Sequence, residues 1–169
     1  DRSWTPNTTD AHGLRYRFGN QSSVAHWNLF QLAKAIRSLF KSVEPLQNAL
    51  DQYDKFFNQN ENKVIAAKLG LNKFRKGDRN LMEDLYVLLE DTEIDMTIFF
   101  RKLKDLDINI PTLNHFDEAF YNSEKKQKNT IKCKNWLKRY TDRVRTDTLG
   151  ENARKRLMAA ANPNFVLRN

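Results

Sequence analysis

Apolar residues recur at helical spacing along most of this chain. From residue 24 onward they return every three or four positions, which places them on one face of an amphipathic helix. This periodicity predicts helices at about 24–43, 45–69, 78–90, 95–106 and 113–122, followed by a basic helix and a last helix ending near residue 158. No segment alternates apolar and polar residues as a half-buried strand does. The chain is therefore predicted to be all-α, a multi-helix bundle.

Local signals set several of the predicted helix boundaries. Pro45 suits the first turn of the second helix, and Gly70 suits its C-terminal end. Asp78 and Asp95 are predicted N-caps of the next two helices, because their carboxylates can accept free backbone N–H groups. The pair at 162–163, Asn-Pro, is typical of a cap and first position, so a further helix is predicted to begin there.

Two predicted helices have faces that we expect to point into the core. In the first helix the inward positions are Trp27, Phe30, Ala33, Ile36, Leu39 and Phe40. In the basic helix the apolar stripe consists of Ile131, Trp136, Leu137, Tyr140 and Val144. The basic residues of that helix then occupy its solvent side, as solubility alone would require.

The first 23 residues differ from the rest. Pro6, Gly13 and Gly19 interrupt them, and no 3.6-residue period is present. We therefore predict an irregular, ordered lead-in over 1–23 and a helical domain over 24–169. Because the chain opens without a start-like region and stops inside an apolar helical pattern, it is predicted to be a fragment truncated at both ends.

Composition is that of an ordinary soluble protein. Of 169 residues, 30% are charged and 40% are hydrophobic, enough for one domain with a sizeable core. No apolar run approaches the roughly 20 residues that cross a bilayer, and no signal-peptide pattern is present, so no membrane partner is expected and a cytoplasmic location is predicted. Cys133 is the only cysteine, which excludes an internal disulfide. We expect its thiol at a helix surface or at the edge of the core.

The net charge of +8 is unevenly distributed. Residues 124–169 carry 13 Lys/Arg and 4 Asp/Glu, whereas residues 1–123 carry 16 and 17. A basic surface over 124–156 could hold an acidic protein or a nucleic acid, and a stand-alone binding module of this kind is an alternative function. A nucleic-acid partner is the less favoured reading, because no reader motif or aromatic stacking platform accompanies the charge.

Candidate chemistry is sparse. His12, His26 and His115 are far apart in sequence, and no zinc-like spacing or phosphate-binding glycine loop is present. His115, Asp117 and Asn122 match the spacing of a kinase catalytic loop, but they lie in a predicted helix and lack a following metal triplet. We treat this match as accidental. No catalytic, cofactor-binding or metal-binding residue is predicted in this chain.

The whole sequence nevertheless resembles the selenoprotein-O-like family. Near the N-terminus the matching residues are Pro6, Asn7, Asp10, Gly13, Arg15, Tyr16, Gln21, Trp27, Asn28, Leu29, Leu32 and Ala33. Later blocks follow in the family's order: AAKLGL, then Asp95, Thr97, Phe100, Arg101 and Leu103, then Trp136, Tyr140 and Arg143, and finally MAAANPNFVLRN. Two departures are an insertion at Leu14 and a proline at position 6, where many members have cysteine.

The resemblance implies a protein-kinase-like fold that transfers AMP from ATP to hydroxyl groups of proteins. This chain would supply the helical part of the large lobe, with the lead-in akin to an activation segment. The family's nucleotide and metal ligands precede this stretch. ATP and magnesium are therefore expected for the full-length protein and not for this chain. The implied partners are the missing N-terminal part of the same protein and, for the whole enzyme, protein substrates. Arg15, Tyr16, Trp27 and Asn28 are expected to brace the lead-in against the first helix, with Trp27 in the core.

Overall fold

The computed structural model describes residues 5, 7, 9, 10 and 12–165. Its α-helices are α1 (Gln21–Ala35), α2 (Glu44–Leu69), α3 (Lys76–Thr92), α4 (Met96–Asp105), α5 (Ser123–Arg145) and α6 (Glu151–Ala161). Short 3-10 helices cover Phe18–Asn20, Arg37–Leu39 and Leu113–Ala119. Across the described residues no strand forms, and extended pairing is limited to an isolated bridge between Ile94 and Phe120. The prediction of an all-α chain is confirmed.

The chain divides into two compact units, Asp1–Glu61 and Asn62–Asn169. The boundary falls inside α2. The first unit therefore holds the lead-in, α1 and most of α2, while the second unit holds the last turns of α2 together with α3 to α6. The predicted division into a lead-in over 1–23 and a helical domain over 24–169 stays a prediction.

The second unit has a continuous hydrophobic core. Leu85 of α3 and Leu103 of α4 are fully buried and belong to one cluster of buried side chains. The ring of Phe99 lies 4.6 Å from that of Phe116 and 5.8 Å from that of Trp136, measured between centroids. Because a buried aromatic ring removes roughly 150–250 Å² from water, these contacts stabilise the unit strongly.

Two hydrogen bonds inside this core tie α5 to earlier helices. Nε1 of Trp136 donates to the carbonyl of Leu81 at 2.8 Å, and the hydroxyl of Tyr140 donates to the carbonyl of Leu69 at 3.1 Å. Burial raises the pKa of Tyr140 to about 12, so the hydroxyl keeps its proton. The predicted stripe of α5 is wrong at Ile131, which is 75% exposed, while its other four positions are buried. Tyr140 lies nine positions after Ile131, which is about two and a half helical turns, so the two side chains point to opposite sides of α5.

Two aspartates stabilise the N-terminal ends of α3 and α4. The N-cap prediction for Asp95 is confirmed, because its Oδ1 accepts the N–H of Ile98 at 2.9 Å. The N-cap prediction for Asp78 is wrong, because α3 begins two residues earlier with Arg75 as its N-cap. Asp78 reaches back instead and accepts the Arg75 N–H at 2.7 Å.

Residues at the end of α2 meet the end of α6. Gly70 ends α2 with φ +70°, as predicted, and a Cβ there would lie 2.6 Å from Cγ of Arg154. Nζ of Lys68 donates to Oδ1 of Asn162 at 3.0 Å, and the Asn162 amide donates to the Lys68 carbonyl at 3.1 Å. Asn162 is therefore the C-cap of α6 and not an N-cap. A helix from Pro163 onward would run through 166–169, which lie outside the described residues.

The first unit buries little of its apolar surface. Val24 is the buried residue of α1, and Leu50 is 9% exposed in α2. The prediction for the inward face of the first helix is wrong at Trp27, Phe30 and Leu39, which are exposed, whereas Ala33, Ile36 and Phe40 are half-buried. Within this unit α1 has only the lead-in and part of α2 to pack against, which is too little to cover it.

The first helix also ends earlier than predicted. After Ala35 the backbone tightens into the 3-10 turn Arg37–Leu39, and Phe40 is extended at φ −114° and ψ 138°. The Arg37 guanidinium donates to the carbonyl of Phe40 at 2.8 Å. This bond stabilises the turn that replaces the predicted last turns of the helix.

Candidate functional site

A nearly buried ion-pair network joins α5 to the first turn of α3 and to the loop before it. Nε of Arg143 lies 2.6 Å from Oδ1 of Asp78, and its Nη1 lies 3.2 Å from Oδ2 of Asp147. The Asp78 and Asp147 side chains are 2% and 4% exposed. Burial by itself lowers the pKa of Arg143, but the two carboxylates more than offset this and the net pKa is raised. The guanidinium also donates to the carbonyl of Lys73 at 2.8 Å. The network ties the end of α5 to the start of α3 and to the loops beside both helices.

Side chains of Asp10, Asn20 and Gln21 hold the lead-in in a defined conformation. Asp10 Oδ2 accepts the N–H of Arg15 at 3.1 Å. The amide of Asn20 donates to the Arg15 carbonyl at 2.6 Å, and the amide of Gln21 donates to the Tyr16 carbonyl at 2.7 Å. These side chains satisfy backbone carbonyl and N–H groups at Arg15 and Tyr16, which lie outside any helix.

The departure from the family pattern at Leu14 coincides with unusual backbone geometry. Leu14 has φ +46°, in the left-handed region that leucine rarely adopts. Its N–H donates to the Asp10 carbonyl at 3.0 Å, and the N–H of Gly13 donates to Oδ1 of Asp10 at 3.1 Å. Leu14 is thus part of a tight turn closed on Asp10.

The lead-in contacts α1 through a cation–π pair. The Arg15 guanidinium carbon lies 4.8 Å from the centroid of the Trp27 ring. Trp27 is 45% exposed, so the expectation that it belongs to the core is wrong. Around it, α1 and the preceding turn present what we call the exposed apolar surface: Phe18, Trp27, Leu29, Phe30 and Leu32, which are 39–64% exposed.

The kinase-like spacing is accounted for by structural roles. Nε2 of His115 lies 2.7 Å from the carbonyl of Lys102, and Asp117 pairs with Lys126 at 2.7 Å. Asn122 caps α5 by accepting two backbone N–H groups. These roles, within and beside the 3-10 helix Leu113–Ala119, support the interpretation of the motif as accidental.

Acidic residues from other segments form ion pairs with several basic residues of α5. The pairs are Lys125 with Glu93 at 2.6 Å, Lys126 with Asp117 at 2.7 Å, Lys132 with Asp91 at 3.7 Å and Arg139 with Asp84 at 2.6 Å. Each exposed pair contributes little to stability. Together they reduce the positive potential that the sequence of α5 alone suggests.

Cys133 lies in the core of the second unit. It is 3% exposed, so the expectation of a helix-surface or core-edge position is wrong. Burial raises the pKa of its thiol, although the neighbouring Lys132 acts in the opposite direction. A buried, protonated thiol is a poor nucleophile.

Neither a metal site nor a membrane span is found in the part of the chain that the structure describes. No three His, Cys, Asp or Glu side chains there gather closely enough to hold a metal ion. None of the helices described is long and apolar enough to cross a bilayer.

Comparison with known proteins decides the family. The family model described as "Protein adenylyltransferase SelO" matches residues 1–169. The chain belongs to the SelO family. Among curated relatives named "Protein nucleotidyltransferase YdiU", identity over all 169 residues is 46% for Aromatoleum aromaticum, 44% for Xanthomonas axonopodis pv. citri and 41% for Azoarcus sp.. The chain spans about a third of the length of these relatives, 32–33% in each case.

The blocks that carry the SelO resemblance have structural roles here. Phe100 and Leu103 are buried, Asp95 caps α4, and Asn162 joins the ends of α6 and α2. Arg143 centres the ion-pair network. Position 6 and the end of the last block, 166–169, lie outside the described residues.

Sequence reasoning missed the network of Asp78, Arg143 and Asp147. A signal was present, because Arg143 lies three residues after Tyr140, on the buried side of α5. A charged residue on a buried stripe requires a buried partner. The absence of catalytic, cofactor-binding and metal-binding residues stays a prediction.

Proposed function

We propose that this chain is the helical C-terminal part of a protein that transfers AMP from ATP to hydroxyl groups of other proteins. It would contribute no catalytic residue of its own. Support comes from the family description, adenylyltransferase, and from relatives named protein nucleotidyltransferases. ATP and magnesium would bind in the part of the protein that corresponds to the remaining two thirds of those relatives.

The exposed apolar surface is the observation that carries this proposal. Phe30 and Leu32 of α1 are 46% and 55% exposed, and Phe18 before the helix is 64% exposed. Large apolar side chains gathered on a single short helix mark a surface for protein contact. The natural occupant is the remainder of the same polypeptide, since the matched relatives are three times as long.

The lead-in would then face the nucleotide-handling part of the enzyme. From the family resemblance we expect it to follow directly after the metal-binding triplet, akin to an activation segment. The Arg15–Trp27 pair holds it against α1. The lead-in and α1 would thus form one rigid wall of the assembled enzyme.

A chimera tests the proposal. The corresponding third of the Aromatoleum aromaticum relative is replaced by this chain, and transfer of labelled AMP from ATP to protein is measured. We expect the chimera to be active and the chain alone to be inactive. AMP transfer by the chain alone, or tight magnesium-dependent ATP binding by it, would contradict the proposal.

A pair of substitutions in the chimera tests the exposed apolar surface. Phe30→Asp should abolish activity, because it places a charge where the remainder of the protein packs. Val87→Asp is the matched control, since Val87 is 59% exposed but lies on α3. Equal activity of the two variants would show that the apolar surface has no such role.

The alternative of a stand-alone basic module is less well supported. Ion pairs with Glu93, Asp117, Asp91 and Asp84 neutralise much of the basic surface over 124–156. A nucleic-acid partner would need that charge to be free.

A further inference from the structure

One groove in the second unit combines an apolar floor with a cationic rim. It lies between the loop before the 3-10 helix Leu113–Ala119 and one face of α5, and its volume is about 540 Å³. Pro111, Leu113 and Leu137 supply apolar lining, and Lys134, Lys138 and Arg145 supply positive charge. The volume falls within the range of roughly 300–1,000 Å³ that suits a bound small molecule or a few peptide side chains. We call this feature the α5 groove.

The α5 groove keeps a positive charge that its surroundings do not cancel. Asp142 is the acidic residue of the lining, and it is shared between Lys138 Nζ at 2.7 Å and Arg145 Nη1 at 3.0 Å. No acidic side chain of the described chain lies within ion-pair distance of Lys134, which is exposed. Three cations against one carboxylate leave an excess of two positive charges. Most other basic residues of α5 are paired with acids from elsewhere.

A neighbouring cavity has more acidic than basic side chains in its lining. It measures about 570 Å³ and is lined by Asp105, Asp107, Asp147 and Glu151 against Arg145, Arg154 and Lys155. Of these two cavities, the α5 groove is the one whose lining carries a net positive charge.

We propose that the α5 groove binds an acidic peptide segment of another protein, with one apolar side chain seated on Leu113 and Leu137 and carboxylates facing Lys134 and Arg145. The positive charge of the rim favours a peptide with acidic residues, and the apolar floor favours one with an apolar side chain to seat there. A nucleic acid fits less well, because no aromatic ring among the described residues lines the groove to stack on a base. Binding here is independent of nucleotide transfer by the whole protein.

Fluorescence anisotropy tests the groove on the complete chain. The probe is a short fluorescein-labelled peptide of glutamates interrupted by two leucines. Lys134→Glu should raise its Kd about tenfold, because the change reverses a charge on the rim. Lys128→Glu is the matched control, since Lys128 is an exposed lysine of the same helix outside the groove lining. This control should leave Kd within about twofold.

Several outcomes would overturn the groove as a peptide site. Equal losses in the two variants would mean general attraction to a basic protein. Equal affinity for an all-glutamate peptide would show that the apolar floor takes no part. Tighter binding of single-stranded oligothymidylate at the same site would make it a nucleic-acid site, and no measurable peptide binding would leave no function for the groove. Loss of binding in the chimera described above would mean that the remainder of the polypeptide fills it.

Discussion

The two units share the same helical periodicity of apolar residues, but the second buries these side chains and the first leaves many of them exposed. In the second unit, Leu85 and Leu103 are fully buried and Arg143 is paired on two sides. In the first unit, Phe30 is 46% and Leu39 is 80% exposed. The second unit contains enough elements to cover its own apolar faces, and the first does not. Periodicity thus establishes a helix, whereas burial depends on how many partners the same unit supplies.

Breaking the ion-pair network should give the largest loss of stability in the second unit. Arg143→Ala leaves the buried Asp78 carboxylate without its cation, so we expect a loss of about 3–5 kcal/mol in the free energy of unfolding. Urea denaturation followed by circular dichroism measures it. Arg139→Ala is the control on the same helix, because its pair with Asp84 is about half exposed and should cost less than about 1 kcal/mol. Similar losses in both variants would show that burial does not set the strength of these pairs.

A matched pair of leucine truncations sharpens the contrast between the units. Leu103→Ala creates a cavity in the core and should cost about 2–5 kcal/mol. Leu32→Ala removes an apolar side chain that is already 55% exposed, so it should change stability by less than about 0.5 kcal/mol. Thermal and urea denaturation of the isolated chain measure both. A loss at Leu32 as large as that at Leu103 would show that the first unit has a core of its own.

Lowering the pH should reduce the stability of the second unit through protonation of Asp147, by less than Arg143→Ala or Leu103→Ala. Burial by itself raises the pKa of Asp147, but hydrogen bonds from the N–H groups of Asn72 and Leu149 and the pair with Arg143 lower it overall. A carboxylate with a lowered pKa stabilises the fold above its unfolded pKa of about 3.9, and this contribution is lost as pH falls through the folded value.

We expect the urea concentration at the unfolding midpoint to decrease once the pH is lowered below about 4. In Asp147→Asn this fall should be smaller, because the titrating group is gone. Asp84→Asn, which removes an exposed carboxylate, should keep the full decrease. An unchanged pH profile in Asp147→Asn would contradict the role of Asp147.

Sequence alone established the helical class, the family and the ends of helices set by local chemistry. Asp95 and Gly70 were predictable because a cap or a positive φ depends on a few neighbouring residues. The exposure of Phe30 was not, because periodicity does not reveal what covers a face. The pair of Asp78 with Arg143 joins residues 65 positions apart, and such partners cannot be read from local patterns.

The hydrogen bonds between Lys68 and Asn162 have a consequence for folding during synthesis. The two residues are 94 positions apart, so this bond cannot form until nearly all of the second unit has left the ribosome. At about 5–20 residues per second the wait is roughly 5–20 s. During that time the fully buried Leu69 and Gly70, whose neighbours include Arg154 and Met158, remain open to water. For that time, chaperones that bind nascent apolar segments would find a target at the end of α2.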